Sequence, residues 1–284
     1  MTDSTNLPRF NATQAGAAWK TTVEAEHEQS DRIREGAASD DFWRPIAHRF
    51  APPKKGEAAP DDTFERLAGL VSSSGTVLDV GAGGGRLAIP LAEVCARVTA
   101  VEPSEGMREQ LIATAAAWDV SNINLVAGTW EDAEVAPHDL VICAHVVYTV
   151  REIENFVRKL IAHARQTVAL VVFQRPAMSS YLPLWPKVHG EERIPLPALP
   201  EIEQLLPQMG IEYRKIPLQE RVSQPFKSRA QAVDECLARL FIAPGSDKSA
   251  KLSEVLDDCL LEVDGGYGFE WAEPRRPWII AWDV

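Results

Sequence analysis

Residues 76–107 read TVLDVGAGGGRLAIPLAEVCARVTAVEPSEGM and carry the most informative pattern in this 284-residue chain. An apolar run over 76–80 leads directly into Gly81, Gly83 and Gly85, and a helical stretch and a second apolar run over 98–102 follow. Glycine lets the backbone turn sharply and lets a ligand approach without meeting a Cβ. Free N–H groups at the start of the following helix suit an anionic group. The segment therefore predicts a strand–loop–helix–strand unit that holds a ligand.

The same alternation continues along the chain. Short apolar runs rich in β-branched residues, which are typical of strands, alternate with helical stretches. The predicted strands are 76–80, 98–102, 123–128, 139–145, 167–173, 211–219 and 277–284, and the predicted helices of this region are near 85–96, 104–118, 151–165 and 201–210. Continuous apolar strands that alternate with helices predict an α/β fold with a parallel sheet covered on both faces.

We interpret residues 1–70 as an N-terminal helical cap and residues 71–284 as the main domain, with inserts at 175–200 and 220–276. The cap carries helical patterns without strand signals, and its expected features are an N-cap at Asn11 or Thr13, a second helix after Ser39–Asp40 and a third over Asp61–Val71. The first insert is rich in proline and aromatic residues. The second predicts amphipathic helices over 228–241 and 247–262. Connections of this length are usually lids, binding loops or interfaces.

Composition argues against several classes of function. The net charge is −12, and the basic residues are scattered rather than arranged in the positive stripe that nucleic-acid binding needs. No apolar run approaches the ~18–20 residues of a membrane span, and the polar start lacks a secretory signal. The four cysteines form no CxxC pair and no cluster with zinc spacing. We therefore expect a cytoplasmic protein without nucleic-acid or membrane partners and without a metal.

Two acids and the glycine spacing discriminate between ligands. The pattern Gly81-x-Gly83-x-Gly85 departs from the dinucleotide fingerprint Gly-x-Gly-x-x-Gly/Ala, since Arg86 stands in the place of the third glycine. Asp79 precedes the loop, where a carboxylate is unhelpful beside pyrophosphate but suits an ammonium group. Glu102 ends the second strand and has two oxygens for two ribose hydroxyls, a device that NAD sites share. Asp79 and the glycine spacing favour S-adenosylmethionine (SAM), with NAD(P) as the alternative.

The stretches VLDVGAGGG and AVEPSEGM resemble the first and second motifs of class I SAM-dependent methyltransferases of the broad type 11/12 group, and the resemblance covers about residues 76–174. It implies a Rossmann-like seven-stranded sheet of order 3-2-1-4-5-7-6, with one antiparallel member in the last pair. It also implies the cofactor contacts. The methionine part of SAM would lie against Asp79, Gly81, Ala82 and Gly83, the ribose against Glu102, and the adenine between Pro103 and Met107.

A further stretch, AGTWEDAEV over 127–135, resembles the adenine motif of the same family. It implies that Thr129, Trp130 and Glu131 surround the base, with the Trp130 ring stacking on it or walling off the pocket. Ala144, at the end of the fourth strand, would also lie beside SAM.

His145 and Tyr148 are the candidate catalytic residues, because they follow the fourth strand at the edge where parallel sheets present ligand-facing groups. Imidazole titrates near neutrality and suits a general base, whereas a tyrosine base needs a strongly perturbed pKa. The alternative is that both side chains only shape the pocket. Displacement at a sulfonium mainly requires alignment, so a base is not obligatory.

Aromatic residues outside the sheet are the candidates for acceptor binding. Tyr181, Trp185 and His189 lie in the 175–200 insert and fit a substrate wall, although a structural plug or a dimer contact fits equally well. Trp19 is a candidate cap over the site. We expect Phe42 and Trp43 to dock their helix on the core.

The sequence therefore predicts a SAM-dependent methyltransferase that acts on a small-molecule acceptor. One alternative is an NAD(P)-dependent oxidoreductase, which heat stabilisation by NAD(H) rather than by SAM or S-adenosylhomocysteine (SAH) would identify. The other alternative is a non-catalytic SAM-binding protein. No Asn/Asp-Pro-Pro-Tyr/Phe motif follows the fourth strand, which disfavours amino-group methylation of DNA bases or glutamine.

Overall fold

The computed structural model describes residues 12–36, 41–57 and 62–284. Its strands are β1 (Thr76–Val80), β2 (Arg97–Glu102), β3 (Ile123–Ala127), β4 (His138–Ala144), β5 (Ala164–Phe173), β6 (Arg214–Pro217), β7 (Leu260–Val263), β8 (Gly266–Phe269) and β9 (Pro277–Asp283). Its α-helices are α1 (Gln14–Ile33), α2 (Thr63–Ala68), α3 (Ala88–Ala92), α4 (Glu105–Trp118), α5 (Ile153–Ala162), α6 (Leu184–His189), α7 (Leu199–Gln208), α8 (Arg229–Arg239) and α9 (Asp247–Cys259). Short 3₁₀ helices span Arg44–Phe50, Val147–Thr149 and Ala177–Tyr181.

The main sheet confirms the predicted topology. Its strand order is β3-β2-β1-β4-β5-β9-β6. The strands β1 to β5 pair in parallel, whereas β9 runs antiparallel to both β5 and β6. The closing strand therefore takes the place of the seventh strand, because β7 and β8 form a separate two-stranded sheet within the second insert. This is the Rossmann-like sheet of class I methyltransferases.

Apolar side chains cover both faces of the sheet. On one face, the buried strand residues pack against α1, α5 and α7, through side chains such as Trp19, Phe156 and Leu205. On the other face they pack against α2, α3 and α4, through Leu67, Leu91 and Leu111. Burial on both faces explains why these strands read as continuous apolar runs in the sequence.

Helix α1 is bound to the main domain at several points along its length. Thr13 caps it, as one of the two predicted N-caps, and its Oγ1 accepts a hydrogen bond from the Gly16 N–H at 2.9 Å. The Trp19 side chain is 1% exposed, and its Nε1 donates to the Val150 carbonyl at 2.8 Å. Glu26, also buried, pairs with Arg193 of the first insert. Trp19 is therefore a core residue, and its predicted role as a cap over the acceptor is wrong.

The segment that follows α1 differs from the expected second helix. Residues Arg44–Phe50 form a 3₁₀ helix, while Ser39 and Asp40 lie outside the described residues. Phe42 and Trp43 are 38% and 40% exposed, so the expectation that they dock on the core is wrong. The third predicted helix is shorter than expected, because α2 ends before Gly69.

The two inserts build a third hydrophobic cluster together. Trp185 and Val188 of α6 are buried against Leu237 of α8 and Leu252 of α9. Helix α6 and the β7–β8 hairpin were not predicted, since α6 lies in the proline-rich stretch and each hairpin strand is only a few residues long. Within the described ranges, no helix is long and apolar enough to cross a membrane, and no three His, Cys, Asp or Glu side chains gather as a metal site.

Replacement of Trp185 tests whether this residue belongs to the core or to a pocket. Its side chain is fully buried. Trp185→Leu therefore leaves a cavity and lowers the free energy of unfolding by about 2 kcal/mol or more in a denaturant titration. The affinity for SAH stays unchanged. Leu261→Ala, at a site in the same insert that is 50% exposed, serves as the control and leaves stability nearly unaltered. A stable variant with weakened acceptor binding would instead support a pocket wall.

Candidate functional site

The glycine loop after β1 has the backbone that its sequence predicts. Gly81, Gly83 and Gly85 have φ angles of 74°, 55° and 88°, in the left-handed region that favours glycine. A Cβ on Gly81 would lie 2.3 Å from Val146 Cγ2, so no other residue fits there without a shift. The N–H groups of Gly81 and Ala82 donate to the Val101 carbonyl at 2.9 and 3.2 Å. The loop is thereby held against the end of β2.

Two buried carboxylates flank this loop. Asp79 on β1 is 2% exposed, and Glu102 at the end of β2 is 6% exposed. Glu102 Oε2 accepts from the Gly83 N–H at 2.7 Å, and its Oε1 accepts from the Ser104 N–H at 2.9 Å. Burial raises the pKa of Asp79 to about 7, with a smaller contribution from Glu102 and an opposing one from Arg86. Burial also raises the pKa of Glu102, against the two backbone hydrogen bonds.

These residues fit the amino-acid and sugar parts of SAM. Burial destabilises the charged form of a carboxylate, which raises its pKa. An ammonium group beside the carboxylate stabilises that charged form again. Each oxygen of Glu102 accepts one backbone hydrogen bond, and a carboxylate oxygen has two lone pairs, so acceptor capacity for hydroxyl groups remains. A Cβ on Gly83 would find Phe50 Cβ at 3.6 Å and Met107 Sδ at 3.8 Å, which is ordinary contact distance. The donor set therefore suits SAM.

The residues predicted to surround the adenine divide into two groups. Pro103, Thr129 and Glu131 are exposed near the ends of β2 and β3, and Met107 is buried at the start of α4. The Trp130 side chain is 4% exposed and belongs to the core, with Lys159 Nζ 4.8 Å from its ring centre. The expectation that the Trp130 ring stacks on the adenine or walls off the pocket is therefore wrong.

His145 and Tyr148 form a connected pair after β4. His145 has a φ of 61°, and its N–H donates to the Val171 carbonyl at 2.8 Å, so this left-handed turn is fixed by β5. Its Nδ1 lies 3.1 Å from the Tyr148 hydroxyl, which accepts from the Phe173 N–H at 2.8 Å. The imidazole stacks on the Phe173 ring with 4.2 Å between centroids. Ala144, directly before this turn, is half-buried.

The environment keeps both side chains neutral. Burial holds the pKa of His145 well below its usual value, and Arg86, Arg221 and Arg275 lower it further. Burial raises the pKa of Tyr148 far above its usual value. Among the described residues, no hydrogen-bond partner reaches His145 Nε2, although this atom is shielded from solvent. A neutral imidazole therefore presents one unused nitrogen at this edge of the sheet.

The sequence did not predict the part that the segment 41–50 plays here. The Asp41 carboxylate accepts from the Ser104 hydroxyl and from the Gly106 N–H, both at 2.8 Å, and the Gly106 bond lowers the pKa of Asp41. The Phe50 carbonyl accepts from the Arg86 N–H at 3.0 Å. This segment, which we call the clasp, therefore covers the glycine loop and the start of α4. An acid placed before a short aromatic run is too weak a signal to have identified it.

Of the three residues proposed as an acceptor wall, Trp185 and His189 lie against each other, with 4.6 Å between ring centroids, and Tyr181 packs on the same hydrophobic cluster. Trp185 is fully buried in the third cluster, so its predicted role in substrate binding is wrong. His189 is half-buried, and its Nε2 lies 3.0 Å from the Leu240 carbonyl, so its role in substrate binding stays a prediction. Tyr181 is half-buried, and burial raises its pKa to about 12. Its ring packs edge-on against Phe269, with 5.7 Å between ring centroids.

The raised pKa of Asp79 has a consequence for cofactor binding that pH can reveal. An ammonium group beside Asp79 favours the charged carboxylate, so SAH binding releases a proton below about pH 7. The affinity for SAH in calorimetry is expected to increase as the pH rises from about 6 to about 8. Asp79→Asn binds SAH at least about tenfold more weakly and loses this part of the pH dependence.

Protein stability without SAH provides the control for this test. The pKa of Asp79 is higher in the folded chain than the value of 3.8 expected when it is unfolded. The folded state therefore holds the proton more tightly, and the contribution of Asp79 to stability falls as the pH rises from about 4 to about 7. Asp79→Asn removes that fall. Identical pH profiles for both proteins would contradict a buried, destabilised Asp79.

Comparison with known proteins adds independent information. Residues 77–167 match the family model described as "Methyltransferase domain". A ubiquinone biosynthesis O-methyltransferase of Rickettsia conorii is 33% identical over 106 residues, which cover 36% of this chain and 35% of the relative. Its counterpart from Rickettsia akari is 29% identical over 196 residues, which cover 63% of this chain and 74% of the relative. The match thus spans about a third of the first relative and about three quarters of the second.

A solved structure shares the fold. The YcgJ protein from Bacillus subtilis superposes with a TM-score of 0.52 at 16% identity, over 77% of this chain and 98% of that protein. Because the identity is low, this likeness concerns the fold alone. Sequence match and fold agree: residues 77–167 match a methyltransferase domain, and the sheet has the strand order of class I methyltransferases.

Proposed function

We propose that this protein transfers the methyl group of SAM to a hydroxyl oxygen of a small-molecule acceptor. The observation that carries the proposal is the shielded Nε2 of His145, which has no hydrogen-bond partner among the described residues. A hydroxyl group is the partner that such a nitrogen suits. The names of the two Rickettsia relatives, both O-methyltransferases, support the same chemistry.

The sheet brings this nitrogen and the cofactor loop to one edge. Strands β1 and β4 are parallel neighbours, so their carboxyl ends meet, and the glycine loop and His145 follow those ends. The two turns touch, since a Cβ on Gly81 would overlap Val146, the residue after His145. A cofactor on the loop and an acceptor at His145 would therefore be adjacent, which is the main requirement for an in-line displacement.

Residues of the loop and of the strand ends would hold the cofactor. In this proposal Asp79 faces the ammonium group, Gly81, Ala82 and Gly83 line the methionine part, and Glu102 binds the ribose. Pro103 and Met107 flank the adenine, the backbone around Thr129 and Glu131 closes its far side, and Ala144 lies beside the cofactor at the end of β4. SAM supplies an electrophilic methyl group on a sulfonium. The chain itself aligns the methyl group with the acceptor and shields both from water.

His145 would orient the acceptor hydroxyl and accept its proton. If Nδ1 carries the imidazole proton, it donates to the Tyr148 oxygen, and Nε2 then offers a lone pair. The Phe173 N–H fixes the Tyr148 hydroxyl, which in turn fixes the ring. Burial and the three arginines make His145 a weak base, so its first contribution is to hold the hydroxyl in line. Tyr148 is a positioning residue, since its pKa is raised too far for it to act as a base.

Substitution of His145 tests this assignment. We expect His145→Ala to lower kcat by about a hundredfold or more, because both the alignment of the hydroxyl and the acceptor of its proton are lost. Tyr148→Phe removes only the hydroxyl and produces a smaller loss. Activity is measured as transfer of labelled methyl from SAM to a panel of phenols and hydroxy acids, and SAH affinity is measured in parallel.

His163→Ala is the matched control. This histidine directly precedes β5 at the opposite edge of the sheet, and its Nδ1 contacts the Lys159 carbonyl at 2.8 Å. Its replacement is expected to leave kcat within a few fold. Full activity of His145→Ala on an acceptor used by the wild type would refute the role given to His145. A protein that binds SAH but methylates no member of the panel would refute the proposed acceptor class.

A further inference from the structure

The side chain of Lys159 is bonded to the loop that follows β3. Lys159 lies on α5 and is half-buried. Its Nζ donates to the backbone carbonyls of Trp130, Glu131 and Ala133 at 2.7, 2.9 and 2.8 Å. An ammonium group has three N–H donors, so all of them are used on this one loop. A single side chain of α5 thus fixes three peptide groups of the loop 128–133.

The exposed part of this loop is anchored from the inside. Thr129 and Glu131 are exposed, whereas the Trp130 ring is buried in the core. The N–H of Gly128 donates to the Glu102 carbonyl at 3.4 Å, so the loop starts beside the residue that we assign to the ribose. Exposed segments with few buried apolar contacts open easily, so the bonds from Lys159 are expected to keep the loop in one conformation.

These bonds also set the direction of the N–H groups in the loop. A trans peptide is planar, and its C=O and N–H point in opposite directions. The carbonyls of Trp130 and Glu131 point towards α5, so the N–H groups of Glu131 and Asp132 point away from it. Helix α5 and the Trp130 ring belong to the core on one face of the sheet, and α4 covers the other face. Lys159 thereby turns two donor groups away from the core, where the ring nitrogens of a base can accept from them.

We propose that Lys159 is a positioning residue for the adenine of SAM, because it holds the loop 128–133 in the conformation that receives the base. This inference deepens the proposed function and rests on its placement of the adenine beside Thr129 and Glu131. Lys159 itself does not contact the cofactor. It acts on the base and leaves the binding of the methionine part and of the ribose unchanged. A lysine that only stabilised the fold would affect all parts of the cofactor alike.

The test compares SAH with S-ribosylhomocysteine, which has the same amino-acid and sugar parts but no base. Both ligands are titrated by calorimetry into the wild type, which is expected to prefer SAH, and into Lys159→Met. The variant is expected to bind SAH at least about tenfold more weakly, because part of the binding free energy must then order the loop. Its affinity for S-ribosylhomocysteine stays nearly unchanged. In methyl-transfer assays the KM for SAM rises by a similar factor, while kcat changes little.

Two further variants separate positioning from general damage. Lys159→Arg keeps a cationic donor on α5 and retains part of the SAH affinity, and its loss is again confined to SAH, so it serves for the comparison if Lys159→Met does not fold. Lys215→Met is the matched control. Lys215 Nζ also lies over a tryptophan ring, 4.4 Å from the centre of Trp278, and it pairs with Glu203 at 2.8 Å at the far end of the sheet. This control leaves both affinities unaltered, and the unfolding midpoint without ligand confirms that each variant is folded.

The outcomes distinguish this inference from the function on which it rests. Equal weakening of both ligands in Lys159→Met would mean that Lys159 supports the fold as a whole, and an unchanged SAH affinity would mean that the loop keeps its shape without it. Either result overturns the inference. Binding of SAH that depends on Lys159, in a protein that methylates no acceptor, would support the positioning role and refute the proposed reaction. Methyl transfer by a wild type that binds both ligands equally well would support the reaction and overturn the role given to Lys159.

Discussion

The burial of two carboxylates at the ends of adjacent strands is the constraint to which the rest of the site is fitted. Asp79 and Glu102 are almost fully buried, and burial raises the pKa of both. Hydrogen bonds from the Gly83 and Ser104 N–H groups offset part of this cost for Glu102. They also fix the positions of the glycine loop and of the start of α4. For Asp79, the opposing effect of Arg86 is smaller than that of burial, so its pKa is raised to about 7. A cation on the loop supplies the missing compensation, which is why a sulfonium amino acid suits this crevice better than a dinucleotide.

Charge is distributed unevenly across the crevice. The acids lie on the β1 and β2 side, while Arg221 and Arg275 lie beyond β5, with His145 between the two groups. This polarity agrees with a cofactor that brings positive charge to the side of the two acids. Protein segments far apart in the chain close the arrangement. The clasp contacts α4 through Asp41 and contacts α8 through the Arg49–Glu235 ion pair, at 2.6 Å, so it joins these two helices.

Sequence reasoning was reliable for the sheet and unreliable for the large aromatic residues. The strands, their order and the antiparallel closing strand follow from local patterns and from the family resemblance, and all were confirmed. Trp19, Trp130 and Trp185 were assigned to binding surfaces, yet each is buried in a core cluster. A tryptophan fills a core and lines a pocket equally well, and its identity alone does not say whether a ligand or another helix lies against it. The pairing of Arg221 with Arg275 was missed for a related reason, because the sequence around each residue does not indicate that the two residues meet.

Local chemistry explains what could be derived from the chain alone. The motif consists of a strand, glycines with left-handed φ angles and acids at the strand ends. Its conformation depends on neighbours within a few residues, so it can be predicted from the local sequence. The contacts of His145 with Tyr148 and Phe173, the Arg221–Arg275 bridge and the inward or outward direction of each tryptophan depend instead on segments that meet only after the sheet has formed. The burial of a side chain and the electrostatic potential around it depend on many such distant neighbours together. The proposed cofactor site could therefore be predicted from the amino-acid sequence, whereas the surroundings of His145 were revealed only by the folded chain.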